Sequence, residues 1–302
     1  MDRREFQKVS LGALSSLAFS SFAAIPALSQ DHDRQAARAE AGAQFSVMLW
    51  TLPKTLTFPQ QLDIVADAGY TSVEVGNQYE KWTDEEWTTN LAWLQKRHLS
   101  VDSAVPGRNP LADHGKRDAL KSGLEKAIPG AKRLGCNQFI YTAYNRVQGQ
   151  SLEEQRSAIV DTLKYAADLL EKDQIQIVLE PIDLLEHKEE AVTSVEEAFN
   201  ITRLVNSPRI KVLYDFYHEQ RQAGNLIEKL TRNIDQVGLV HVADVPGRHQ
   251  PGTGEMNWNN IYRELGHLRY NRVICMEFSA QGDPMTTLRK AREEAIAAMK
   301  IG

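Results

Sequence analysis

Cysteine is scarce in this chain, with two among 302 residues, Cys136 and Cys275. Each falls at a different strand-like run, so two buried free thiols are expected rather than a disulfide. An excess of positive charge is also missing. Lys and Arg total 35 against 40 Asp and Glu, a net charge of −5, and no basic stripe appears. That argues against a nucleic-acid groove. Beyond residue 30 no stretch is long and apolar enough to span a bilayer. No Gly-rich phosphate loop follows the first strand-like run, where Trp50-Thr-Leu-Pro53 stands instead. A doubly wound dinucleotide-binding sheet would normally carry one there. What remains is a chain with 42% apolar and 25% charged residues, ordinary for a soluble globular protein.

The N-terminus is different in kind. Arg3 and Arg4 precede an apolar, Ser-rich run from Val9 to Ala24, and Ala27-Leu-Ser29 offers small residues for cleavage. Residues 1–29 read as an export signal of twin-arginine type, which places the mature protein in the periplasm or outside the cell. A short helix docked on the domain is the alternative. Residues 30–44 read as a linker, and 45–302 as one catalytic domain.

Within that domain two patterns alternate. β-rich runs occur at 45–50, 71–75, 100–105, 138–142, 176–180, 211–215, 238–243 and 273–278. Stretches of helical periodicity separate them, as with Phe58, Leu62, Val65 and Gly69. Thr57…Gln60, Thr83…Glu86, Ser151…Glu154 and Ser194…Glu197 have capping-box spacing at the helix starts. Gly69 and Gly135 suit left-handed helix ends. Eight β-then-α units in about 250 residues predict an α/β fold, a single-domain (β/α)₈ TIM barrel.

Chemistry concentrates at the ends of the last four strand-like runs, at Glu180, Asp215, His241 and Glu277. In a barrel these ends share one face. One polar residue at a strand end often only meets solvent. Three carboxylates gathered without a cation would repel one another and shift their pKa values upward. The four therefore read as ligands of one divalent metal, with Mn²⁺ or Mg²⁺ favoured and Co²⁺ or Zn²⁺ compatible. After the seventh run comes Ala243-Asp-Val-Pro-Gly-Arg-His-Gln-Pro-Gly-Thr-Gly-Glu255, a tightly turned loop. Arg248 is a candidate to bind substrate with its planar fork. Asp244 is either a loop cap or a hydrogen-bond partner of His241, and His249 reads as a solvated loop residue. His218 and Glu186 are candidate substrate contacts above the metal. Trp50 and Trp82 either floor a sugar-sized pocket or simply pack.

Glu180-Pro-Ile, Tyr214-Asp-Phe-Tyr-His218 and Ala243–Asn257 resemble the hydroxypyruvate isomerase branch of the xylose isomerase-like sugar isomerase/epimerase superfamily. The resemblance extends over residues 45–300. It implies a (β/α)₈ barrel, Glu180, Asp215, His241 and Glu277 as metal ligands, and Glu180 and Glu277 as the catalytic acid/base pair. Glu186 and His218 resemble substrate contacts of ketose 3-epimerases in the same superfamily. Those epimerases also have His where His241 stands, whereas typical hydroxypyruvate isomerases have Gln. The implied reaction is enediolate proton transfer on a small sugar or hydroxy-carbonyl compound, giving isomerisation or epimerisation. Alternatives are an exported lyase or hydrolase-like enzyme on 3-keto-glycosides, a non-catalytic sugar-binding barrel, and a metal-dependent apurinic endonuclease of the same fold. The acidic balance argues against the last. The implied partner is a carbohydrate-like small molecule, with homo-oligomerisation left open.

Overall fold

Local chemistry starts four helices where the sequence predicts. Thr57, Thr83 and Ser151 each accept a hydrogen bond from the N–H three residues on, and Gln60, Glu86 and Glu154 reach back to the cap N–H. Each reciprocal pair satisfies two otherwise orphaned donors. Ser194 completes only half of its box. Its hydroxyl accepts from the Glu197 N–H at 3.3 Å, while the Glu197 carboxylate pairs with Arg156 at 2.5 Å. With Oε1 on the guanidinium, Oε2 accepts from the Thr193 N–H at 3.3 Å, one residue before the cap.

The computed structural model describes residues 42–107 and 110–300. The strands are β1 (Gln44–Met48), β2 (Ser72–Val75), β3 (Ser100–Ala104), β4 (Gln138–Thr142), β5 (Gln176–Glu180), β6 (Ile210–Asp215), β7 (Val237–Val242) and β8 (Val273–Met276). Between and after them lie α1 (Phe58–Asp67), α2 (Asp84–Lys96), α3 (Arg117–Leu134), α4 (Leu152–Asp173), α5 (Val195–Val205), α6 (Phe216–Gln222), α7 (Leu226–Asn233), α8 (Trp258–His267) and α9 (Pro284–Met299). Every strand pairs in parallel with its sequence neighbour, and β8 returns to β1, closing the barrel. The fold is thus the predicted (β/α)₈ barrel. Among the described residues no helix is long and apolar enough to cross a membrane. Cys136 and Cys275 are free and buried, as read from sequence.

The predicted export signal and residues 30–41 of the predicted linker lie outside the described residues. The linker's last residue is misassigned, because Gln44 opens β1. It pairs with Val273, and its N–H donates to the Arg272 carbonyl at 3.0 Å. Closing the barrel uses that residue. Four strands also end earlier than read, β3 and β7 by one residue and β1 and β8 by two. A 3₁₀ turn takes over at Leu49–Thr51, and β8 stops at Met276, leaving Glu277 just beyond it.

Strand alternation sorts the side chains into two cores. One large core fills the space between strands and helices. A second, inside the barrel, gathers Met48, Ile140, Val178, Leu213, Leu239 and Cys275. Two residues farther along come Thr142, Glu180, Asp215 and His241 on the same face of their strands, with Trp50 and Glu277 just past the ends of theirs. The apolar layer is therefore the floor on which the polar groups of the C-terminal face stand.

Candidate active site

Glu180, Asp215, His241 and Glu277 converge as their strand positions require. They offer ligand atoms that all lie within 4.8 Å of one another, and all four residues are buried. The His241 Nδ1 faces Glu277 Oε2 at 2.8 Å and Glu180 Oε1 at 3.9 Å. Asp215 divides its carboxylate between two tasks. Oδ1 caps α6, accepting from the Tyr217 N–H at 2.7 Å, while Oδ2 faces the cluster, 3.4 Å from Arg248 Nη2.

The three predicted substrate contacts stand at the rim. Arg248 donates to Glu277 Oε2 at 2.6 Å and to Glu186 Oε1 at 2.9 Å. Its guanidinium lies 5.3 Å from the Trp50 ring centroid and 5.0 Å from that of Tyr217, within cation–π range. His218 places Nε2 3.5 Å from Asp215 Oδ2, and its Nδ1 lies 2.7 Å from Asp183 Oδ2. Glu186 is the most exposed of the three and is held by Arg221 and Arg248. Trp50 donates its indole N–H to Glu277 Oε1 at 3.0 Å. Trp50, Glu186, His218, Arg248 and Glu277, with Tyr144 and His187, line a cavity of about 370 Å³. That volume suits a small molecule.

The structure decides between the alternatives left open for Trp82 and Asp244, and corrects the reading of His249. Trp82 does not reach the cavity and packs edge-on against Phe58 and Trp87. Asp244 does not touch His241. Its carboxylate accepts from the backbone N–H groups of Val245, Gly252, Gly254 and Met256, which fixes the loop after β7. His249 is not simply solvated, since its Nδ1 lies 2.8 Å from the Ser279 carbonyl. The residue that does meet His241 is Glu74, at the C-terminal end of β2, with Oε2 2.9 Å from Nε2. Asp183 and Arg221 were missed as well. Asp183, fully buried, orients His218 and accepts from the Leu185 and Glu186 N–H groups. Glu74 stands next to last in a short β-rich run, a signal close to the one that marked Glu180, Asp215 and Glu277. Asp183 and Arg221 lie in loop and helix segments with no such signal.

Electrostatics separates the two candidate bases. Burial, then the charge of Glu277, pushes the Glu180 carboxyl up to about 8. Burial also pushes Glu277 upward, but the Arg248 guanidinium and His241 outweigh it and hold that carboxyl well below the usual range. Burial lowers His218, yet the Asp215 charge and the Asp183 hydrogen bond prevail and raise it. Two neighbouring carboxyls pushed in opposite directions are the pattern of an acid/base pair. Three buried carboxylates and one imidazole also match the donor preference of a hard-to-borderline dication. A second grouping, Asp183, Glu186 and His218, has ligand atoms equally close together. Its carboxylates are already engaged by Arg221, Arg248 and backbone N–H groups.

The comparisons agree with this architecture. The family model described as xylose isomerase-like TIM barrel matches residues 62–300. Hydroxypyruvate isomerase of Escherichia coli (strain K12) is 28% identical over 251 residues, covering 82% of this chain and 97% of that protein. A 2-oxo-tetronate isomerase of Pectobacterium atrosepticum is 25% identical over 245 residues, covering 79% and 93%. Among solved structures, the IOLI protein with a bound zinc atom superposes with a TM-score of 0.71 at 17% identity, covering 85% of this chain and 98% of that one. The chain belongs to the xylose isomerase-like TIM barrel family and is similar to its hydroxypyruvate isomerase branch.

Proposed function

We propose that this protein is a metal-dependent isomerase or epimerase that moves a proton between carbons of a small sugar or hydroxy-carbonyl compound. The observation that carries the reading is the convergence of Glu180, Asp215, His241 and Glu277 on one point beneath the cavity. The names of the relatives, isomerases of small oxo acids, support it. Glu180, Asp215, His241 and Glu277 would hold the ion. Bound there, a divalent cation would serve as a Lewis acid for an adjacent carbonyl and hydroxyl.

The chain's own groups divide the remaining work. Glu277, kept anionic by Arg248, is suited to take the carbon-bound proton. Glu180, the other carboxylate of the implied acid/base pair, is suited to return it. Return to the neighbouring carbon gives isomerisation, and return to the opposite face gives epimerisation. His218, Glu186 and Arg248 lie where they can hydrogen-bond substrate oxygens, and Trp50 covers one side of the cavity.

Solvent-deuterium incorporation tests the reading. Mn²⁺-loaded protein is incubated with a panel of hydroxy-oxo acids, ketoses, aldoses and 3-keto-glycosides. Exchange at a carbon beside a carbonyl is expected for at least one member, and Glu277→Gln is expected to abolish it while still binding Mn²⁺. Binding without exchange anywhere in the panel would favour the sugar-binding alternative. Cleavage of the glycosidic bond would favour the lyase or hydrolase-like one.

A further inference from the structure

His241 is held from both sides. Its Nδ1 faces the carboxylate cluster, and its Nε2 faces Glu74 Oε2 at 2.9 Å. Glu74 comes from β2, across the barrel from β5–β8, and is fully buried. Its Oε1 has no hydrogen-bond partner among the described residues. A carboxylate aimed at His241 in this way is not a helix cap, and it is not part of a surface network.

We propose that Glu74 is the positioning residue that holds His241 with its Nδ1 lone pair directed at the cluster, and so sets how tightly the cluster grips a divalent ion. The chemistry follows from the imidazole. A neutral ring has one N–H and one lone pair, and an ionised carboxylate only accepts. With Nδ1 engaged by a cation, the ring carries its proton on Nε2, where the Glu74 carboxylate stands ready to accept it at 2.9 Å. Fixing both tautomer and ring angle in advance removes the ordering cost from cation binding. The hydrogen bond also makes Nδ1 more basic toward a metal. The pairing of Glu74 with His241 spans 167 residues and carries no local sequence signal.

This inference rests on the metal-site reading, and the experiment separates the two. Full-length wild type, Glu74→Gln and Glu74→Leu are titrated with MnCl₂ by calorimetry, and each metal-free protein is also melted. Glu74→Gln keeps an acceptor without charge and should weaken Mn²⁺ binding about 10-fold. Glu74→Leu removes the acceptor and should weaken it about 100-fold, in keeping with the loss of a metal ligand's hydrogen-bond partner. The metal-free melting temperature should not fall in parallel. If wild type binds Mn²⁺ and both variants bind it equally well, the positioning role is wrong and the metal site stands. If wild type binds no divalent ion, both fail. Should the variants not fold, imidazole ¹⁵N shifts of Zn²⁺-loaded wild type decide, with His241→Gln identifying the signal. A proton on Nε2 supports the proposal, and a proton on Nδ1 overturns it.

Discussion

Arg248 is the residue on which the charge balance of the site turns. It adopts a left-handed backbone at φ 55°, uncommon for a side chain larger than glycine, and this aims its fork inward between Trp50 and Tyr217. Its bond to Glu277 outweighs burial in setting that carboxyl. Arg248→Met should let the Glu277 carboxyl rise. With Glu277 as the proposed base, the acidic limb of kcat/KM against pH should then move to higher pH. At neutral pH kcat/KM should fall about 100-fold, the scale for losing one preorganised charged donor. A pH–rate profile checks both, and an unmoved acidic limb would separate Glu277 from the reaction. At this scale the sequence pointed to the four converging residues because each stands at the end of an apolar run. It could not show Glu74 against His241, or Asp183 against His218, because those pairings exist only once distant strands and loops meet.

At the scale of an element, the loop after β7 governs where Arg248 sits. Asp244 gathers four backbone N–H groups, and the chain passes so close to itself that a Cβ on Gly254 would lie 2.0 Å from the Val245 carbonyl oxygen. Gly254→Ala must open that contact. We expect a loss of about 1–3 kcal/mol in stability, typical of overpacking. A larger proportional loss of activity should follow, because Arg248 moves with the loop. Thermal melting and kcat/KM measured on the same preparation test this, and wild-type turnover in the variant would contradict it. The Gly and Pro content announced a tight loop. That Asp244 organises it, and does not serve His241, was decided by backbone geometry that composition does not encode. The half-completed box at Ser194 has a similar origin, since Arg156 arrives from another helix.

For the whole molecule, the opposite end of the barrel bears on stability. Asp102 lies beside a cavity of about 490 Å³ at the N-terminal face. Burial, then the charge of Glu74, pushes its carboxyl well above the usual range, against hydrogen bonds from Ser46, Ser72 and Ser103. The folded state thus holds a proton that the unfolded chain releases near pH 4. Stability from this group is complete below that pH and is lost as pH rises toward the folded value. Asp102→Asn should leave melting unchanged near pH 4 and raise it by about 2–4 °C near pH 8. A constant offset at all pH values would refute the linkage. The fold was legible at this scale because eight strand runs, helix caps and periodicity all agree. The closing pair was less so, since Gln44 joins β1 through a partner near the other end of the chain.

Asp215 joins chemistry to motion. One of its oxygens anchors the first turn of α6 while the other faces the ligand cluster, and α6 carries Tyr217, His218 and Arg221. A pull on the inner oxygen is transmitted through a single carboxylate to the start of that short helix. The Tyr217 amide thereby becomes a gauge of occupancy. Its hydrogen exchange should slow when Mn²⁺ is added, with no comparable change at amides of α1 on the far side of the barrel.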